Sequence, residues 1–101
     1  MEYLSREEIM NDYNRSLELM MEKYQIEDIG IYEEEGEGDS YYFGYTVRKN
    51  GKVYMINLPY VKNKNGELAI EKQVWTLQEE DSETKGYRSL DEIFDKINYL
   101  H

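Results

Sequence analysis

The stretch Tyr41–Tyr60, YYFGYTVRKNGKVYMINLPY, constrains the fold more than any other part of the chain. Asn50-Gly51 suits a two-residue type I′ turn, because both turn residues need positive φ and Asn and Gly tolerate it best. Folding the flanks about that turn pairs Lys49 with Lys52, Val47 with Tyr54, Tyr45 with Ile56, Phe43 with Leu58 and Tyr41 with Tyr60. Side chains alternate along a strand, so these pairs share one face, which is apolar or aromatic beyond the lysines. The opposite face receives Arg48 with Val53, Thr46 with Met55, Gly44 with Asn57 and Tyr42 with Pro59, a mixed set. The aromatic face is the natural floor of a core.

Two helices flank this centre. Ser5-Arg6-Glu7-Glu8 is a capping box, in which the serine hydroxyl accepts from the Glu8 amide and the Glu8 carboxylate reaches back. Ile9, Tyr13, Leu17, Met20 and Tyr24 follow at steps of three and four, which predicts a helix over 6–24 with one apolar face. Ser89-Leu90-Asp91-Glu92 repeats the box. It opens a second helix with Leu90, Ile93, Phe94, Ile97 and Leu100 on one side.

The intervening segments read as strands and links. Residues 25–32 form a first strand with Ile29 and Ile31 on one face, and Gly30 between them marks a close approach or a bulge. Glu33, Glu34, Glu35, Glu37 and Asp39 then place five carboxylates in seven residues, read as a solvated, mobile loop. Residues 61–66 make a second turn and 67–78 a fourth strand. Leu68, Ile70, Val74 and Thr76 have one parity there, while Trp75 and Leu77 have the other. An odd-numbered turn, with Ile70 and Val74 facing the core and a bulge further on, matches the apolar faces best. Residues 78–86 read as a polar link. The expected fold is a single α+β domain over 1–101, in the order α-β-β-β-β-α. Its sheet is a four-stranded antiparallel meander with two helices packed on one face.

Composition bounds the function. The 101 residues carry 22 acidic against 12 basic side chains, a formal net charge of -10. That charge opposes direct binding to nucleic acid or to anionic membranes. There is no cysteine, and the only histidine is His101, so Ser-His and Cys-His catalysis and thiolate metal sites lack material. Gly36, Gly38 and Gly44 lack the spacing and the strand-to-helix setting of a phosphate loop. The carboxylates at 33–39 do not match the spacing of a calcium loop. No apolar run reaches the length of a membrane span, and no signal-peptide pattern precedes the first helix, so the cytoplasm is the expected location.

The expectation is therefore a non-catalytic interaction protein with no catalytic residue, cofactor or metal ligand set. Its partner is another protein, basic by charge complementarity, or a second copy of the chain. The candidate contact surface is the open sheet face: Tyr42, Thr46, Arg48, Val53, Met55 and Asn57. Tyr and Met are favoured at interfaces. The acidic surface at Glu33, Glu34, Glu35, Glu37 and Asp39 is the second candidate. Two other classes stay open. One is an acidic inhibitor of a basic enzyme, of the nuclease-immunity or phage anti-defence kind. The other is a domain that binds a small molecule or a metal.

Overall fold

A computed structural model describes residues 2–99; Leu100, expected on the second helix face, and His101 lie outside the described residues. The element order is α1 (Arg6–Tyr24), β1 (Asp28–Glu35), β2 (Ser40–Lys49), β3 (Lys52–Lys62), β4 (Leu68–Ile70), β5 (Trp75–Gln78), β6 (Glu83–Tyr87) and α2 (Leu90–Tyr99). The chain is an α+β protein with one antiparallel sheet of six strands, two more than the sequence predicts.

The β2–β3 hairpin adopts the register that its turn dictates, from Lys49 opposite Lys52 to Tyr41 opposite Tyr60. Asn50 and Gly51 have φ of 54° and 79°, the two positive values that a type I′ turn needs. One face of the hairpin presents Phe43, Tyr45, Val47, Tyr54, Ile56, Leu58 and Tyr60, all buried. Ile9, Tyr13 and Met20 of α1 and Ile93, Phe94 and Ile97 of α2 close over it, so both helices cover the same side. Each fully buried apolar side chain of this kind contributes about 1.5–3 kcal/mol. The helices also meet each other: Tyr24 stacks on Phe94 with ring centroids 4.0 Å apart, and its hydroxyl donates to Asp91 at 2.5 Å.

Both helix starts are capped as their sequences require. The Glu8 amide donates to Ser5 Oγ at 3.1 Å and the Glu92 amide to Ser89 Oγ at 3.2 Å. The first helix ends on Gln25 in the left-handed region, φ 54°. The Ile26 amide returns to the Met21 carbonyl at 3.0 Å.

The expected fourth strand is two strands. In β4, Tyr60 pairs with Ile70 across a five-residue connection, the odd-numbered turn that the apolar pattern favours. Continuing that register would bring Val74 opposite Ile56, but Leu77 takes the place, three residues on. The polar run Glu71-Lys72-Gln73 is looped out, and an odd shift exchanges the two faces. Trp75 and Leu77 are thereby buried, whereas Val74 and Thr76 are only half-buried. The parity conflict in the sequence is the signature of this break.

The remaining corrections concern charged segments. The first strand runs to Glu35 rather than stopping at Tyr32, so Glu33, Glu34 and Glu35 are strand residues paired with Phe43, Tyr42 and Tyr41. Only 36–39 form the turn. Much of the supposed link after β5 is β6, an edge strand paired with β5 around a four-residue turn. The strand order is β1-β2-β3-β5-β6, with β4 sharing the β3 edge. Gly30 is no point of close approach: a Cβ there would meet nothing within 4 Å.

Two polar side chains on the core side, Lys49 and Tyr60, are also buried. Lys49 is only 7% exposed, because its ammonium donates to the Tyr24 and Gln25 carbonyls at 2.8 and 3.3 Å. It caps the end of α1. The Tyr60 hydroxyl lies inside the core, 3.0 Å from that of Tyr13. Among the described residues, no helix is long and apolar enough to cross a membrane.

Candidate functional site

The face of the sheet turned away from the helices holds all six candidate contact residues. Register places Tyr42 opposite Pro59, Thr46 opposite Met55, Arg48 opposite Val53, and Asn57 opposite Gly44, with alternation turning them all outward. No helix lies over them, yet their burial is graded. Arg48 and Val53 are exposed, Val53 to 49%; Tyr42, Thr46 and Met55 are half-buried; Asn57 is only 9% exposed.

Curvature accounts for the gradient. In a flat sheet, four strand spacings of about 4.8 Å would separate β1 from β6 by about 19 Å. Here Tyr32 and Glu34 of β1 and Glu83 and Lys85 of β6 wall the same depression, about 140 Å³ in volume. The sheet therefore curls towards its outer side and makes a trough of it. Gly44 permits the curl: a Cβ at that position would lie 1.7 Å from the Ile56 carbonyl oxygen. Only glycine lets β2 press so closely on β3.

Asn57 lies in the depression beside Tyr42 and Thr76. Its side-chain amide has no hydrogen-bond partner among the described residues, and its polar atoms keep access to solvent. The Tyr42 ring is held against the backbone of Gly36, where an added Cβ would approach Tyr42 Cε2 to 2.9 Å. On the other wall the Tyr32 hydroxyl donates to Glu34. Burial, then the bond to Glu34, push that phenol up to about 12, so it remains protonated and fixed as a donor. At the hairpin end the trough widens into a space of about 580 Å³ bordered by Val53, Met55, Gln78 and Glu79.

The five acidic candidates do not act as one cluster, because strand alternation parts them. Glu33 points to the helix side, where Arg6 Nε donates to it at 2.7 Å and the Tyr41 hydroxyl at 2.7 Å. The bond from the Arg6 guanidinium holds the Glu33 carboxyl below the usual carboxylate range. Glu35 accepts from Lys62 Nζ at 3.0 Å. Glu34 alone of the three faces the trough. Glu37 and Asp39 stand exposed in the turn, where their carbonyls accept from the Ser40 and Lys62 amides at 3.1 and 2.8 Å. Among the described residues, no three His, Asp or Glu side chains converge on a common point.

Sequence reasoning therefore located the centre of the trough and missed its walls. Tyr32 and Glu34 were legible as an alternation continuing past Tyr32, obscured by the run of acids. Glu83 and Lys85 carried no signal, since a short polar edge strand has no apolar period.

Comparison with curated proteins gives no match. A family model described as a family of unknown function (DUF5634) matches residues 3–97, and the chain belongs to that family.

Proposed function

We propose that the chain is a non-catalytic interaction module that docks a protein partner in the trough of its outer sheet face. The observation that carries this reading is a concave face left uncovered by both helices, with Tyr42 and Met55 inside it and Val53 at its edge. Aromatic and Met side chains are the favoured centres of interfaces, and concave surfaces bury a partner's side chains most completely. The net charge of -10 favours a basic partner and disfavours direct contact with nucleic acid. The absence of cysteine suits a reducing compartment, and we place the protein in the cytoplasm. No cofactor is required for this role.

An acidic inhibitor of a basic enzyme is a special case of the same reading, distinguished by loss of the partner's activity on binding. The test is capture from an extract of the native cells by the immobilised full chain, followed by mass spectrometry. A specific partner should be retained by the protein as it stands and by Leu19→Glu, on the exposed side of α1. It should be lost from Met55→Glu and from Val53→Glu, the latter at an exposed position that folding tolerates. Equal capture by all four proteins would refute docking on the outer face.

A further inference from the structure

We propose that the depression around Asn57 receives the guanidinium of an arginine carried by the protein partner. This rests on the outer face being the docking surface and adds the chemistry of the group that it selects.

The depression is too small for a peptide but suited to one side-chain head group, at about 140 Å³. Its inner surface holds a nine-tenths buried amide with both its donor and its acceptor unused. The polar atoms of Asn57 keep access to solvent, so an incoming donor can reach the amide oxygen directly. Two carboxylates, Glu34 and Glu83, stand on opposite walls. The one lysine, Lys85, lies 3.5 Å from Glu83 with its side chain 73% exposed, so it is free to swing away. The site is thus net negative and rich in acceptors: two carboxylates and the Asn57 carbonyl. An anion is repelled by these walls and by the chain as a whole.

Arginine fits this set better than lysine. Its planar fork presents five donors in several directions, and it stacks on aromatic rings, here Tyr32 and Tyr42. An ammonium is a compact, strongly hydrated point charge that cannot reach acceptors on two walls at once. Glu34 already accepts from Tyr32, which orients its second oxygen for a further donor.

The test uses the isotopically labelled full chain and Nα-acetyl-arginine methylamide as the probe, followed by NMR. Saturable shifts are expected at the Asn57 side-chain amide and at the Thr76 and Tyr42 backbone amides. Affinity should fall about tenfold for the corresponding lysine amide and be lost for the glutamate amide. The double variant Glu34→Gln, Glu83→Gln, both surface changes, should abolish saturation, and Asn57→Ser should weaken it. Shifts that do not saturate, that are equal for arginine and glutamate probes, or that survive the double variant would overturn the proposal. The two readings fail separately. Partner capture that Met55→Glu abolishes, without any arginine response, overturns the arginine assignment and leaves the docking face intact. An arginine response with capture indifferent to Met55→Glu supports the assignment and removes the docking reading.

Discussion

The ammonium of Lys49 lies 2.8 Å from the carbonyl oxygen of Tyr24, joining the far end of the central hairpin to the last turn of α1. The hairpin, the helix and the start of β1 meet at this point. The Gly51 amide donates to Glu27 at 3.1 Å, and the Glu27 amide donates to the Arg48 carbonyl at 2.9 Å. A cation there also opposes the negative end of the helix dipole.

Lys49→Met keeps the stem of the side chain and deletes the charge. We expect a loss of about 1–3 kcal/mol, the usual worth of a hydrogen bond from a charged donor to a partly buried acceptor. Urea denaturation reads the loss. Amide exchange at Ile26, which closes the helix end, should quicken alongside it. An unshifted midpoint would show the contact to be energetically idle.

Two glycines on the trough face make opposite predictions. Gly44→Ala drives a Cβ into the Ile56 carbonyl, a backbone atom that cannot rotate aside. It should cost more than about 3 kcal/mol or prevent folding. Gly30→Ala meets open space and should be neutral or stabilising by up to about 1 kcal/mol. Thermal melts of the two variants side by side decide the matter, and similar melting temperatures would contradict the curled sheet.

The buried phenols set the alkaline limit of the fold. Burial raises both Tyr13 and Tyr60 above the ordinary phenol value of 10.0. The unfolded chain therefore loses these protons first as pH rises. Their stabilisation is complete below about pH 10 and then falls by about 1.4 kcal/mol per pH unit for each group, until the folded phenols themselves ionise. Tyr60→Phe should flatten the decline of stability measured by denaturant titration at successive alkaline pH values. A variant with the slope of the parent would show that Tyr60 does not couple to folding.

At the acid end the sign reverses. Glu33 is lowered from 4.5 by its bond to Arg6, so it stabilises the fold above that value. The contribution fades as pH falls through the depressed range. Glu33→Gln should remove this part of the acid sensitivity, whereas the parent retains it. Denaturation midpoints between neutral and acid pH separate the two.

How far the fold was legible follows from what each segment buries. Asn50-Gly51 and the alternation from Tyr41 to Tyr60 gave every pair of the central hairpin, because one residue of slip would turn Phe43 and Ile56 to solvent. The capping boxes gave both helix starts, because Ser5 and Ser89 satisfy amides that helices leave unpaired. The break at 71–74 left a trace, the opposite parity of Ile70 and Leu77, but no Gly or Pro to locate it. β6 was invisible because Glu83, Thr84 and Lys85 are all exposed and carry no apolar period. The burial of Lys49 is not legible from the hairpin, because it depends on the end of α1, which is distant in sequence. Of the trough, Tyr42, Met55 and Asn57 were readable from the hairpin alone. The curl that brings β1 and β6 to the same depression depends on close packing at Gly44, which residue patterns do not express.

The docking of a protein partner on the concave outer face is tested most directly by cross-saturation NMR on the complex with the captured partner. Saturation of the unlabelled partner should attenuate the Met55 methyl and the Tyr42 ring signals of the labelled chain. It should spare Leu19, exposed on α1 on the other side of the molecule. Attenuation at Leu19 with Met55 and Tyr42 untouched would contradict the account.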